Sequence, residues 1–440
     1  MLHRLKALIP APWLLPYHRI LSSFAAALYG HPSEKLIVVG VTGTNGKTTT
    51  AYLIAKALEA SGFATGCTTT ALFKVGDREW LNDTKMTMLG RFQLQKLLRE
   101  MVNAGCRYAV VETSSQGIAQ YRHAGVNYDV AVFTNLTPEH IEAHGGFENY
   151  KRAKIDLFRH VAASKRKMID GRQIEKVAVL NARDAHAKDF AVSGFDRTVW
   201  FVAEPKRIPG ELIQADYVTL SADQIAFETL GEHFHLHLPG LVNVENALAA
   251  IAVCRAFGLD LEKVREKLAS VDGMPGRFER INAGQPFTVI VDYAPEPESV
   301  ARLYETISSI KRARTIHVLG SAGGGRDVAR RPILGRMAAE HVDVVIVTNE
   351  DPYDDDPRQI MEDVANGARS VGKKDGEGLF LIEDRREAIA EAMKQADPED
   401  LVLITGKGSE QAMCVAGGKK IPWDDRTVAR EAIRALPKRL

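Results

Sequence analysis

Cysteine is scarce and scattered. The chain carries four, Cys67, Cys106, Cys254 and Cys414, in 440 residues, and no two form a C-x-x-C pair. That argues against a zinc ribbon or a secreted disulfide framework, and predicts reduced, mostly buried thiols in a cytoplasmic protein. An excess of one charge is also lacking, since Lys+Arg 57 against Asp+Glu 56 leaves +1. Duplex nucleic acid normally demands a basic surplus, so no nucleic-acid partner is expected. No apolar run reaches the ~18 residues of a membrane span. The N-terminal stretch starts basic (His3, Arg4, Lys6) and is broken by Pro10, Pro12, Pro16, His18 and Arg19. Ile20–Tyr29 reads as an amphipathic helix, packed on the first domain in preference to lying on a membrane surface.

What is present is an ordinary globular composition, 45% hydrophobic and 26% charged. At roughly 150 residues per domain the length suggests about three domains. From Lys35 onward, short β-branched runs alternate with helical periodicity, the pattern of parallel strands and crossover helices. Strands are predicted at Leu36–Val41, Tyr108–Val111, Val130–Phe133 and Val177–Leu180, with a helix over Lys47–Ser61. Tyr217–Leu238 alternates as short antiparallel strands. Helices are predicted over Asn246–Phe257 and Leu261–Val271. Gly273-Met274-Pro275-Gly276 breaks the pattern and marks a domain boundary. A second series follows: strands at Phe287–Val291, Thr315–Leu319, Val344–Val347, Leu379–Ile382 and Leu401–Ile404, and helices at Glu298–Ile310, Arg331–Glu340 and Arg385–Gln395. The acidic run Asp354–Asp356 reads as a solvated loop or helix start.

The most informative segment is Gly40-Val41-Thr42-Gly43-Thr44-Asn45-Gly46-Lys47-Thr48-Thr49, which leaves a strand and opens a helix. Glycines let backbone N–H groups wrap a polyphosphate. Lys47 would reach the β/γ-phosphates and Thr48 would give its hydroxyl to Mg²⁺. The strict G-x-x-x-x-G-K-[ST] spacing is not met, because Val41 stands where the first glycine belongs.

This variant loop resembles the ATP-binding motif of the Mur ligase family, the ATP-dependent amide ligases of peptidoglycan synthesis. Further segments resemble that family in order. They are Glu112-Thr113-Ser114-Ser115-Gln116, Phe133-Thr134-Asn135-Leu136-Thr137-Pro138-Glu139-His140, His144-Gly145, Tyr150 to Lys154 and Asn243 to Ala250. Gly276-Arg277-Phe278-Glu279, Asp292-Tyr293-Ala294, Arg326-Asp327 and Gly406-Lys407-Gly408 complete the series. Within the family the likeness is to the MurE type, which adds the third residue to a UDP-muramoyl dipeptide. The resemblance implies an α/β fold, with a central P-loop ATPase-like, mostly parallel sheet domain over 36–275. A Rossmann-like domain over 276–440 and a short helical N-terminal extension, 1–35, complete it. It implies phosphorylation of a muramoyl-peptide carboxylate by ATP and attack of an amino-acid amine on the acyl phosphate, by a monomer.

The resemblance also implies roles. Gly43, Thr44, Asn45, Gly46, Lys47, Thr48, Thr49, Asn243, Asn246, Arg277 and Asp292 would hold ATP. Asn243 and Asn246 also read as residues that open and cap their helix. Thr48, Glu112, His140 and Lys154 would serve two Mg²⁺ ions, with Lys47, Glu112, His140 and Lys154 catalytic. Lys154 by residue type is a solvated helix lysine, but in the family it is a carbamate, which turns a cation into a hard oxygen ligand. Thr113, Ser114, Ser115, Arg122, Asp351, Tyr353, Gly406 and Glu410 would bind acceptor or amino acid. Ser114 and Ser115 lack the G-x-S-x-G of a hydrolase.

Four departures from the family pattern matter. The phosphate loop begins near residue 40, without the preceding domain that holds UDP in MurE-type enzymes. D-N-P-R becomes Glu350-Asp351-Pro352-Tyr353, and a neutral ring cannot pair bidentately with the distal carboxylate of diaminopimelate. Pro295 and Ser409 replace family histidines, and Gln116 replaces a third. Alternatives are a ligase with a non-UDP acceptor, like folylpolyglutamate or cyanophycin synthetases, or a P-loop NTPase switch. Gly46-Lys47-Thr48-Thr49 favours the Mur side over the folate enzymes. The absence of a four-cysteine cluster speaks against a MurT-like amidotransferase partner.

Overall fold

The computed structural model describes residues 11–139, 144–325 and 328–437. His140, the Arg326-Asp327 pair and the basic start (His3, Arg4, Lys6) lie outside the described residues. The chain opens with helix α1 (Ala11–Leu28), which runs through Pro16 and is longer than the predicted segment. Its inner face buries Ser22, Ala25 and Ala26, while Ile20, Phe24 and Leu28 are exposed. It packs on the first domain, where Arg91 Nε donates to the His18 carbonyl at 3.2 Å and Gly125 N to Ser22 Oγ at 3.0 Å. No described helix is long and apolar enough to cross a membrane.

The first apolar runs become strands β1 (Ile37–Thr42), β2 (Thr65–Thr68), β3 (Leu72–Val75), β4 (Arg78–Leu81), β5 (Tyr108–Glu112) and β6 (Val130–Phe133). After a small hairpin, β7 (Met168–Ile169) and β8 (Arg172–Gln173), come β9 (Val177–Asn181), β10 (Arg197–Val202) and β11 (Glu211–Gln214). They form a nine-stranded sheet in the order β11-β10-β9-β6-β1-β5-β2-β3-β4. It is parallel except where β3 meets β2 and β4. Helices α2 (Lys47–Leu58), α3 (Arg91–Asn103), α4 (Ser115–Ala119), α5 (Phe147–Ala163), α6 (Leu241–Ala256) and α7 (Leu261–Ala269) accompany it. Both faces are covered. Ile37, Val39 and Val41 enter a core with α2 and α6, and Leu36 and Val38 enter another with α3 and α5. Covering both faces is why these strands read as unbroken apolar runs. The segment predicted to alternate folds as an antiparallel sheet of β12 (Asp216–Leu220), β13 (Ile225–Thr229) and β14 (Glu232–Leu236). Phe227 and Phe234 stack across it at 5.5 Å.

Past Gly273–Gly276 lies the second sheet: β15 (Glu279–Arg280), β16 (Thr288–Asp292), β17 (Thr315–Leu319), β18 (Val344–Val347), β19 (Lys374–Asp375), β20 (Gly378–Leu381) and β21 (Leu401–Thr405). Its order is β15-β16-β21-β17-β18-β20-β19, parallel apart from the β15 edge. Helices α8 (Pro297–Ser308), α9 (Arg330–His341), α10 (Pro357–Arg369) and α11 (Arg385–Gln395) flank it. Asp356 caps α10, accepting from Arg358 N at 2.9 Å, as the acidic run suggested. All four cysteines are free and buried.

A second helix boundary also departs from expectation. Helix α6 starts at Leu241 behind Gly240, not at Asn246, so Asn243 and Asn246 sit inside it and neither caps it. Asn243 Nδ2 instead donates to the Pro239 carbonyl at 2.7 Å.

Candidate active site

Register decides what meets. β1 runs beside β5 and β6, with Val41 opposite Glu112 and Thr42 opposite Phe133. The carboxyl ends of these strands therefore deliver the phosphate loop, Glu112 and the Thr134-Asn135 pair to one point, where open α/β sheets bind ligands. The loop is clamped from β6. Thr44 N donates to the Asn135 carbonyl and Asn45 N to Asn135 Oδ1, both at 2.8 Å, and Thr134 Oγ1 donates to the Asn45 carbonyl at 2.7 Å. Gly43 has φ 154°, and a Cβ there would lie 1.9 Å from Thr134 Oγ1. Gly46 has φ 78° and leads into α2. Lys47 Nζ reaches back to the Thr44 carbonyl at 2.6 Å.

At the start of α2, Thr48 Oγ1 donates to both oxygens of buried Glu112 at 3.0 Å. Thr70, just past β2, adds its N–H to Glu112 Oε2 at 2.7 Å. A hydroxyl beside a fixed carboxylate is an oxygen donor set suited to Mg²⁺, which keeps water and takes phosphate oxygens for its remaining ligands. From the second sheet, Arg277 Nη2 donates to Thr48 Oγ1 at 3.1 Å while its guanidinium stacks 4.4 Å over the Tyr293 ring. Its buried Nε has no partner, a free donor at the place where phosphate charge would lie. Asp292, at the end of β16, accepts from Phe278 N at 2.6 Å and Ala294 N at 2.8 Å. Burial pushes its carboxyl up, with Arg277 opposing. Asn246 Oδ1 accepts from Thr50 Oγ1 at 2.8 Å, and its Nδ2 donates to Asn243 Oδ1 at 2.9 Å.

Lys154 is not a solvated lysine. It is fully buried on α5, donates to the Gly43 carbonyl at 2.5 Å and lies 4.3 Å over the Tyr150 ring. Burial, with the Lys47 charge as the second cause, holds its ammonium far below the ordinary lysine range. The neutral amine is therefore favoured there relative to an exposed lysine. Tyr150 OH in turn meets Thr44 Oγ1 at 3.0 Å.

Two cavities adjoin at this point. One, of about 220 Å³, is lined by Asn45 to Thr49, Asn243, Asn246, Arg277 and Asp292. The other, of about 440 Å³, is lined by Gln116, Arg122, His144, Asp351, Tyr353, Gly406 and Glu410. Thr70, Thr87, Ser114, Ser115, Glu139 and Tyr293 line both. Ser114 caps α4, and Ser115 Oγ meets His144 Nε2 at 3.2 Å. Gly43 lines neither cavity, and the same holds for Thr113. Thr113 is fully buried, and its hydroxyl donates to the Val111 carbonyl at 3.0 Å. His140, expected at the second metal, lies outside the described residues. Sequence reading gave no role to Thr70 or to the clamp formed by Thr134 and Asn135. The latter pair stood in a quoted motif, whereas Thr70 carried no signal at all.

A model of the Mur ligase middle domain matches residues 41–254, and one of the Mur ligase glutamate ligase domain matches 276–408. A UDP-N-acetylmuramyl-tripeptide synthetase of Roseiflexus is 41% identical, covering 97% of this chain and 85% of that protein. A UDP-N-acetylmuramoyl-L-alanyl-D-glutamate–2,6-diaminopimelate ligase of Geobacillus thermodenitrificans is 37% identical over 94% and 82%. A solved ligase bearing the same diaminopimelate description superposes with TM-score 0.60 at 27% identity, over 97% of this chain and 84% of that one. Folylpolyglutamate synthase of Mycobacterium tuberculosis, at 20% identity and TM-score 0.65 over 88% and 92%, shares the fold. Two domain models in chain order, and relatives matched along nearly the whole length, make this chain a member of the Mur ligase family.

Proposed function

We propose that the chain is an ATP-dependent acid–amino-acid ligase of peptidoglycan-precursor synthesis, joining an amino acid to a carboxylate of a muramoyl peptide. The observation that carries this reading is the Thr48–Glu112 pair in the first cavity, bonded to Thr70, which lines both cavities, with Arg277 reaching it from the second sheet. A pure phosphatase or switch needs the first cavity alone. A ligase needs both, because an acceptor carboxylate and an amine must meet the γ-phosphate. The relatives' names point the same way.

In this reading Gly43 to Thr49, Asn243, Asn246 and Asp292 hold ATP, and Arg277 and Lys47 neutralise the phosphates. Thr48 and Glu112 would hold Mg²⁺, which when bound draws charge from the transferring phosphoryl group. The acceptor carboxylate oxygen takes the γ-phosphoryl group and ADP leaves. The amine then attacks the acyl carbon, phosphate departs and the amine sheds a proton to water. Positioning and electrostatics supply the rate. The Lys154 amine, in its neutral form, would add to CO₂ and lose a proton to water to give a carbamate, whose oxygens would serve a second Mg²⁺ with His140.

The test is substrate omission. With Mg-ATP, phosphate release should require both a muramoyl dipeptide and an amino acid. Release with neither would support the NTPase reading. Activity only with an acceptor lacking UDP would keep the chemistry and change the substrate.

A further inference from the structure

The wall of the larger cavity holds an ion quartet drawn from both sheets. Lys85, from the segment after β4, places its Nζ against Asp351 Oδ2 and 3.2 Å from Glu410 Oε2. Lys407, just past β21, pairs with the same carboxylates, at 2.9 Å to Asp351 Oδ1 and 2.5 Å to Glu410 Oε2. Carboxylates and ammoniums alternate, and the charges cancel. The side chains are nearly dry: Lys85 is 6% exposed, Asp351 8%, Glu410 13% and Lys407 0%.

The two lysines differ in one respect. Lys85, Asp351 and Glu410 line the cavity, whereas Lys407 does not. A ligand entering the cavity meets the Lys85 ammonium and not that of Lys407. Lys85 is also held by its loop in an unfavourable backbone conformation, φ 59° at a non-glycine residue. Asp351 is fixed independently, since its Oδ1 accepts from Cys414 N at 2.7 Å. The receiving carboxylate is rigid, and the ammonium that fills it sits on a flexible stem.

We propose that Lys85 is a tethered competitor that sets amino-acid specificity: it occupies, and gives up to the incoming substrate, a site in which Asp351 and Glu410 bind a distal ammonium. The inference rests on the ligase reading and names its amino-acid class, a diamino acid with no carboxylate at the far end. Once Lys85 leaves, Asp351, Glu410 and Lys407 together carry one net negative charge, which a single ammonium neutralises. A distal carboxylate would face two carboxylates and the uncharged ring of Tyr353, a repulsive arrangement. The cavity's arginines do not change this balance at the quartet: Arg122 is turned to the Met88 carbonyl and Gln120 Oε1, and Arg330 is paired with Glu296.

The experiment compares lysine with norleucine, which lacks the distal ammonium, in the wild type, Lys85→Met and Lys85→Arg. A tethered group competes at an effective concentration on the order of mM or above, so its removal should be large. In Lys85→Met the ratio of kcat/KM for lysine over norleucine should rise about tenfold or more, with the KM for ATP unchanged. Lys85→Arg keeps a cation in place and should keep the wild-type ratio. A merely structural latch would weaken both amino acids together and leave the ratio unchanged in Lys85→Met, which would overturn the proposal. Calorimetric titration of the full chain gives the same comparison without turnover. Lysine should bind about tenfold tighter to Lys85→Met than to wild type, and norleucine equally to both. Equal lysine binding would reject the competitor role. Loss of all amino-acid-dependent turnover in the wild type would instead reject the ligase reading, and calorimetry would still decide the role of Lys85.

Discussion

A lysine's residue type says little about its setting, and Lys154 shows how far the setting can reverse it. Buried beside Lys47, its ammonium is strongly disfavoured in the folded chain. The unfolded chain binds that proton below the ordinary value of 10.5, so the contribution of this one group to folding stability should rise with pH up to that value. Lys154→Met removes the titrating group. In carbonate-free buffer its denaturation midpoint should exceed that of wild type most at neutral pH, the gap narrowing as pH approaches 10.5. Ligation should be lost in Lys154→Ala and partly return with a short-chain carboxylate. Full activity in that variant would remove the carbamate from the account. At this scale the sequence was uneven. Lys47, Thr48 and Glu112 were legible as one cluster because phosphate and metal chemistry would restrict residue type and spacing, and the fold does bring them to one cavity. Lys85 was not, since a lysine in a loop between Asn82 and Met88 is indistinguishable from a solvated one until the second sheet brings Asp351 to it. Thr113 follows Glu112 at the end of β5, where neighbours turn to opposite faces: Glu112 lines the first cavity, while the Thr113 hydroxyl donates to the Val111 carbonyl.

At the scale of elements, the phosphate loop depends on its neighbours as much as on its own glycines. Gly43→Ala would place a methyl 1.9 Å from Thr134 Oγ1, so either the loop or the end of β6 must move. The expected result is a loss of ATP affinity of tenfold or more, measured by calorimetry, with the cooperative unfolding transition retained. Strand placement has its own buried device. Asp129, fully buried before β6, accepts from Val38 N at 2.8 Å and pairs with Lys167 Nζ at 2.5 Å and Lys176 Nζ at 3.1 Å. Removing one member strands buried charge, so Asp129→Ala should cost about 3–5 kcal/mol in chemical denaturation. Sequence reading recovered the fully buried strands β1, β5, β6 and β9, whose continuous apolar runs are unambiguous. It passed over β2 to β4, whose Thr-rich and charged residues carry no clear period. It also began α6 too late, because Leu241 to Glu245 mixes polar and apolar residues ahead of the alanine run.

Across the whole molecule, two sheets turn their carboxyl ends toward one cleft, and neither holds a complete site. Lys47, Thr48, Glu112 and Lys154 come from the first, and Arg277, Asp292, Asp351 and Glu410 from the second. The order of motifs made this two-sheet plan readable, while the contacts that close it, Arg277 on Thr48 and Lys85 on Asp351, depend on a juxtaposition no local pattern encodes. The cleft matters only if phosphate passes through the acceptor carboxylate. The decisive measurement is isotope transfer, with a muramoyl dipeptide carrying ¹⁸O at both oxygens of its reacting carboxylate, supplied with Mg-ATP and an amino acid. A ligase acting through an acyl phosphate must place one ¹⁸O in each phosphate released, matched by one new amide bond. Phosphate without the label, or released without peptide product, would contradict the account.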